Sequence, residues 1–125
     1  MAQTHPRPPA TASALIVVMD GALASSLELM LEACDVAANT HDPRLGLSPL
    51  PLETDDHLLA DFELFRDPSL FLLELRATGW LGAAILMTER ALDETWSRPG
   101  RCWTIEKPFG SADLLAILRE IVQTH

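Results

Sequence analysis

Short apolar runs alternate with amphipathic stretches along the chain, and their order predicts an alternation of strands and helices. Most of the runs are apolar at every position, which is typical of central parallel strands that helices cover on both faces. A weaker strand candidate lies between the first helix and the proline-rich middle of the chain. The predicted strands span residues 14–19, 35–39, 57–62, 83–88 and 102–106.

Apolar residues at helical spacing predict four helices, over 22–33, 68–78 and 89–96 and from a Ser111 cap onward. The helix over 68–78 begins with a proline, which suits a first turn, and its spacing places Leu70, Leu73 and Ala77 on one face. The helix over 89–96 is short because Pro99-Gly100 follows it. Three prolines within 41–53 predict a loop with at most one helical turn where another helix would be expected.

Strands that alternate with helices indicate right-handed crossovers and therefore a parallel sheet between two helical layers. The predicted fold class is α/β, with a three-layer, doubly wound, five-stranded parallel sheet, an irregular second helix and a short fourth helix. Residues 1–12, rich in proline and threonine, are predicted to be a flexible tail, and residues 13–125 form one domain of ordinary size.

The composition narrows the classes of protein that fit. The net charge of −9 and the lack of a basic cluster argue against direct binding to a nucleic acid. No apolar run is long enough to cross a bilayer, and the amino terminus lacks the apolar segment of a secretory signal. Cys34 and Cys102 have no metal-ligand spacing, so we expect free thiols in a cytoplasmic protein.

Polar residues stand where four of the predicted strands end: Asp20, Asp61, Thr88 and Lys107. Because all the strands are parallel, these ends meet at one edge of the sheet. Two carboxylates that approach each other repel, and a bound divalent cation relieves the repulsion. An oxygen-lined site with few ligands suits Mg²⁺, beside which an aspartate can attack a phosphoryl group. Thr88 and Lys107 could then bind the phosphoryl oxygens.

With these residues in place, the chain resembles the receiver domains of bacterial response regulators, which have the CheY-like, flavodoxin-like fold. The resemblance covers about residues 13–124, and the sequence Lys107-Pro108-Phe109 carries it most strongly. It implies that Asp61 is the phosphoacceptor, that Thr88 and Lys107 respond to the phosphoryl group, and that Mg²⁺ is the cofactor. The implied metal ligands are Asp20, Asp61 and the backbone carbonyl of Glu63.

Two departures from the family pattern affect this site. Receiver domains usually have two adjacent acidic residues after the first strand, and here the first of the pair is Met19, which leaves Asp20 alone. A small residue usually follows the hydroxyl residue, and here it is Glu89, which either obstructs a phosphoryl donor or points away. Both departures concern the chemistry of the site and leave the fold pattern unchanged.

The resemblance implies a cytoplasmic receiver domain of a two-component phosphorelay. A histidine kinase or phosphotransfer protein would phosphorylate Asp61, and the modified domain would bind a downstream protein partner. The only activities expected are self-phosphorylation and autodephosphorylation at Asp61. Homodimerisation would use the face made by the helix over 89–96, the last strand and the last helix.

Two alternatives differ from this hypothesis in kind. The first is a pseudo-receiver that takes no phosphate and serves as a protein-interaction module, which Met19 and Glu89 favour. The second is a small flavodoxin-like enzyme or binding protein, which would need a glycine-rich phosphate loop after the first strand. Only Gly21 stands there, so the sequence favours the second alternative least.

Overall fold

A computed structural model describes residues 13–90, 92 and 100–123. The predicted tail over 1–12 and all but three residues of the predicted helix over 89–96 lie outside the described residues. The described part forms one sheet with helices on both faces. Its elements follow the predicted order.

All five predicted strands are present and all neighbouring strands are parallel, as predicted. The sheet order is β2-β1-β3-β4-β5, so the chain first adds a strand on one side of β1 and then continues on the other side. Polar groups that follow β1 and β3 therefore come together at the point where the strand order reverses. The strands span Ser13–Val17 (β1), Ala37–Thr40 (β2), His57–Asp61 (β3), Ala84–Thr88 (β4) and Cys102–Glu106 (β5).

The described helices are α1 (Gly21–Ala33), α2 (Pro68–Ala77) and α3 (Ser111–Gln123). Short 3₁₀ turns occur at Pro43–Leu45 and Phe62–Leu64. The segment between β2 and β3 contains only the first of these turns, as its prolines predict. Of the described helices, none has both the length and the apolar composition that a membrane span requires.

Successive side chains of β1, β3 and β4 enter different cores, which is the reason these strands are apolar almost throughout. On one face of the sheet, Ile16, Leu59 and Ile85 pack in the same core as residues of α1 and α3. On the other face, Leu58 and Leu86 pack with Leu72 of α2, Trp80 and the irregular segment around Leu50. The three-layer, doubly wound fold predicted from the sequence is confirmed.

The face of α2 that carries Leu70, Leu73 and Ala77 is not the face that packs in the core. Leu70 and Leu73 are 50% and 55% exposed, whereas Leu72 is 1% exposed. The cap fixes the rotation of this helix: the Asp67 carboxylate accepts the N–H of Leu70, and Pro68 is buried at the first helical position. Leu72 lies one turn after Pro68 and so shares its buried face.

Two smaller predictions are also corrected. Ser111 does not cap α3 but is its first residue, and the carbonyl of Gly110 accepts the N–H groups of Asp113 and Leu114. The Asp113 carboxylate in turn accepts the N–H of Gly110 at 3.1 Å, so an acid of the first turn supplies the capping interaction. The first strand ends at Val17, and Met19 is 56% exposed in the turn that leads to α1.

Candidate functional site

Three of the predicted site residues lie at the carboxyl ends of neighbouring strands. Asp61, the last residue of β3, is in register with Met87, and Thr88 ends β4 directly beyond it. Lys107 follows β5, and its backbone N–H donates a hydrogen bond to the Thr88 carbonyl at 2.7 Å. The next peptide bond, Lys107–Pro108, is cis. The parallel register therefore brings the acid, the hydroxyl residue and the lysine to one edge, as the sequence predicts.

Lys107 and Asp61 form an ion pair with 2.6 Å between Nζ and Oδ1. The two side chains are 23% and 11% exposed, so water screens this pair less than it screens a surface pair. Oδ1 is buried, and among the described residues no well-directed hydrogen bond satisfies it, which leaves the ammonium group as its electrostatic partner. The charge of Asp61 is thus held in place by one cation.

The ammonium group of Lys107 also interacts electrostatically with two other carboxylates. Glu89 Oε1 lies 3.9 Å from Nζ, at the limit of an ion pair. Burial lowers the pKa of Lys107, but the close contact with the Asp61 carboxylate and its charge, followed by the charges of Glu89 and Glu63, outweigh burial and raise the pKa above its ordinary value of 10.5. Lys107 is therefore protonated at neutral pH, with a local excess of negative charge.

Asp61 and Thr88 are unusual in being buried polar residues. Within the described part of the chain, the buried polar or charged residues are Asp61, Thr88 and His57. His57 is at the opposite end of β3, where its Nδ1 accepts the N–H of Ala83 at 3.0 Å, so it belongs to the packing of the sheet. Burial at a strand end is expected for groups that a site positions rather than for solvated surface residues.

Asp20 lies between β1 and α1, and its side chain contacts the start of the helix. It is exposed, and its Oδ1 accepts the N–H groups of Ala22 at 2.9 Å and Leu23 at 3.3 Å. Asp20 is therefore the N-cap of α1, where its negative charge also complements the helix dipole. Both capping hydrogen bonds use the same oxygen of the carboxylate, Oδ1.

Glu63 makes a contact that the sequence did not predict. Its side chain, exposed at the 3₁₀ turn after β3, accepts the backbone N–H of Glu89 at 3.1 Å. The resemblance gave Glu63 only a backbone role. Glu63 and Glu89 are 26 residues apart, and no sequence pattern predicts a contact over that spacing. The tight turn directly after Asp61 makes the contact possible, because it turns the chain back towards the end of β4.

The groups predicted to hold Mg²⁺ are the Asp20 and Asp61 carboxylates and the backbone carbonyl of Glu63. Throughout residues 13–90, 92 and 100–123, no group of three or more His, Cys, Asp or Glu side chains could hold a metal ion. The Oδ1 atoms of both predicted carboxylate ligands have protein partners: Asp20 Oδ1 accepts helix amides, and Asp61 Oδ1 pairs with Lys107. Mg²⁺ bound through either Oδ1 would compete with these partners.

Comparison with known proteins identifies the architecture. No model of a known protein family and no curated protein matches the chain. Among solved structures, a response regulator from Thermotoga maritima matches with a TM-score of 0.69 at 14% identity, over 90% of this chain and 98% of that one. A CheY-like response regulator receiver domain from Methylobacillus flagellatus matches with a TM-score of 0.66 at 21% identity, over 90% of this chain and 99% of that one.

A longer protein contains the same fold as one part. Full-length FixJ from B. japonicum matches with a TM-score of 0.63 at 16% identity, over 90% of this chain but 58% of that one. At these identities the likeness concerns the course of the backbone, and the chemistry must be argued from the residues of the site. The chain has the fold of response-regulator receiver domains.

Proposed function

We propose that the chain is a phosphoacceptor receiver domain, in which Asp61 takes a phosphoryl group from a histidine kinase or phosphotransfer protein. The observation that carries the proposal is the 2.6 Å pair of a buried Asp61 with Lys107 at the carboxyl edge of a parallel sheet. Ligands of open α/β sheets bind at this edge. A kinase partner of this class implies a cytoplasmic location.

The proposed reaction is a phosphoryl transfer between two side chains. A carboxylate oxygen of Asp61 attacks the phosphorus of a phosphohistidine, the P–N bond breaks, and the imidazole nitrogen keeps the electron pair. The product is an acyl phosphate, which water hydrolyses to restore Asp61 and release inorganic phosphate. Lys107 contributes a positive charge that is already beside the accepting oxygen.

Phosphorylation would then change the environment of Lys107. The ammonium group would exchange the single charge of Asp61 for the larger charge of an acyl phosphate. Because the Lys107 N–H is bonded to the Thr88 carbonyl, movement of the lysine would reach the ends of both β4 and β5. A downstream protein partner would recognise the changed face around β5 and α3. Homodimerisation through this face, with the predicted helix over 89–96, stays a prediction.

Mg²⁺ stays a prediction of the resemblance, and we assign it no step, because Asp20 caps α1 and Met19 replaces the first acid of the usual pair. The test is incubation with a small phosphodonor, with and without Mg²⁺, followed by intact-mass measurement. Wild type should gain the mass of one phosphoryl group, and Asp61→Asn should gain none. An unlabelled wild type under both conditions would refute the phosphoacceptor role, and comparing the two conditions measures the dependence on the metal.

A second candidate is the pseudo-receiver, a protein-interaction module that needs no phosphate. The engagement of Asp20 as a helix cap favours it specifically, because a metal would have to compete with two backbone amides for Oδ1. This candidate expects that millimolar Mg²⁺ and beryllofluoride leave the melting temperature and the tryptophan fluorescence unchanged. A melting temperature that rises with either additive would contradict it, since binding to the native state stabilises that state.

A further inference from the structure

The contact between Glu63 and the Glu89 amide joins the two chain segments that border Asp61. Glu63 lies two residues after Asp61, and Glu89 directly follows Thr88. Their 3.1 Å hydrogen bond fixes the turn after β3 to the end of β4. The Glu89 N–H, a donor that follows the end of β4 at the edge where Asp61 lies, is therefore already bound to a carboxylate of the same chain.

The charges around this contact do not balance. Asp61, Glu63 and Glu89 all act on Lys107, so three carboxylates share one ammonium group. An anion that approaches Asp61 meets the negative charges of Glu63 and Glu89 as well as that of Asp61 itself. Like charges at such distances disfavour each other and the incoming anion.

We propose that Glu63 is a built-in competitor for the phosphoryl group: its carboxylate occupies the Glu89 amide and repels an anion from Asp61, so phosphorylation requires its displacement. The inference rests on the proposed function and adds a regulatory residue to it. An anion bound at Asp61 needs donors around it, and Lys107 and the Glu89 N–H are donors at this edge. Glu63 occupies the Glu89 N–H in the resting state and thereby stabilises that state.

Beryllofluoride, an analogue of the phosphoryl group, gives the first test, by titration in the presence of Mg²⁺. Glu63→Ala removes both the bond and the charge and should bind about tenfold more tightly than wild type, the effect of one charged hydrogen bond. Glu63→Gln keeps an acceptor for the Glu89 N–H without the charge and should fall between the two. Glu74→Ala, at an exposed site of α2 whose charge does not act on Lys107, should bind as wild type does.

Hydrogen exchange at the Glu89 amide gives a second measurement that needs no ligand. Glu63→Ala should exchange this amide several-fold faster than wild type, and Glu63→Gln should retain most of the protection. Unchanged exchange in Glu63→Ala would overturn the proposed contact. Faster exchange together with tighter beryllofluoride binding would support the proposal.

The titration also separates this inference from the proposed function. Equal binding by wild type and Glu63→Ala, with none by Asp61→Asn, would overturn the role of Glu63 and leave the phosphoacceptor role standing. Binding by none of the variants would refute the phosphoacceptor role, and the role of Glu63 would fall with it. Tighter binding by Glu63→Ala than by wild type, with none by Asp61→Asn, would support both.

Discussion

Lys107, the only lysine of the chain, is held between a buried aspartate and a more exposed glutamate. The residue types at the strand ends predicted that Asp61, Thr88 and Lys107 would share one edge of the sheet, and the structure places them there. Asp20 was predicted at the same edge, but its side chain turns to the amides of α1. Which partner an exposed carboxylate takes depends on distances that the sequence does not contain.

The ion pair of Lys107 leads to a prediction about stability. Lys107→Met should lower the free energy of unfolding by about 2 kcal/mol, because it leaves the Asp61 carboxylate buried without its cation. Urea unfolding at neutral pH measures the change. The control is Arg44→Met, which removes a pair with Asp42 whose side chains are 75% and 39% exposed and should cost less than about 1 kcal/mol. Equal effects of the two variants would contradict the prediction.

The pKa of Lys107 predicts how this stability depends on pH. Its folded-state pKa lies above the ordinary value of 10.5, so folding holds the proton more tightly than the unfolded chain does. The contribution is fully present below 10.5 and is lost as the pH rises through the folded-state pKa. The difference in free energy of unfolding between wild type and Lys107→Met should therefore be constant near neutrality and shrink above that value. A difference that grew with rising pH would contradict the sign.

At the scale of the elements, the start of a helix decides both its rotation and the role of the residues before it. α1 begins after Asp20 and α2 after Asp67, and each aspartate accepts backbone N–H groups of its helix. Leucine spacing predicted that α2 exists but selected the wrong face, because several leucines lie on different sides of it. The buried residues Pro68 and Leu72, which are one turn apart, show which face of α2 packs in the core.

Substitution at Asp20 separates the capping role from metal binding. Asp20→Ala should destabilise the protein by about 1 kcal/mol in a chelating buffer, since the amides of Ala22 and Leu23 lose their acceptor. Asp20→Asn should be close to wild type, because asparagine caps helices as well as aspartate does. Chemical unfolding measures both. If Asp20→Asn costs as much as Asp20→Ala, the charge matters more than the cap.

Neighbouring leucines of α2 provide a matched pair. Leu72→Ala should destabilise the protein by about 3 kcal/mol, because the side chain is 1% exposed in the core between α2 and the sheet. Leu73→Ala, at a site that is 55% exposed, should cost less than about 1 kcal/mol. Thermal unfolding of the two variants checks the order, and the opposite order would show that the helix faces the sheet differently.

At the scale of the whole molecule, one sheet separates two cores, and β1, β3, β4 and β5 contribute to both. Adjacent residues of β3, Leu58 and Leu59, lie in opposite cores, so neither core can form without the same strand. The net charge of −9 destabilises the compact state by self-repulsion. The burial of apolar side chains in the two cores must outweigh this repulsion. We therefore expect the two halves to be stable only together.

Tryptophans on the two sides of the sheet can test this cooperativity. Trp80 is buried in the core with α2, and Trp103 packs against the core with α1 and α3. Variants that retain only one of them, with phenylalanine at the other tryptophan positions, report on one side each. In each variant, fluorescence and far-ultraviolet circular dichroism should give the same unfolding midpoint. Midpoints that differ within one variant would mean that the two cores unfold separately.

The sequence by itself determined the fold class, the strand order along the chain and the strand ends where Asp61, Thr88 and Lys107 stand. Apolar runs and prolines act locally, so their effects can be inferred from spacing. Tertiary structure alone decided the capping role of Asp20, the face of α2 and the bond between Glu63 and the Glu89 amide. These depend on how turns place polar groups that are far apart in the chain, and on which of several competing partners comes within hydrogen-bonding distance.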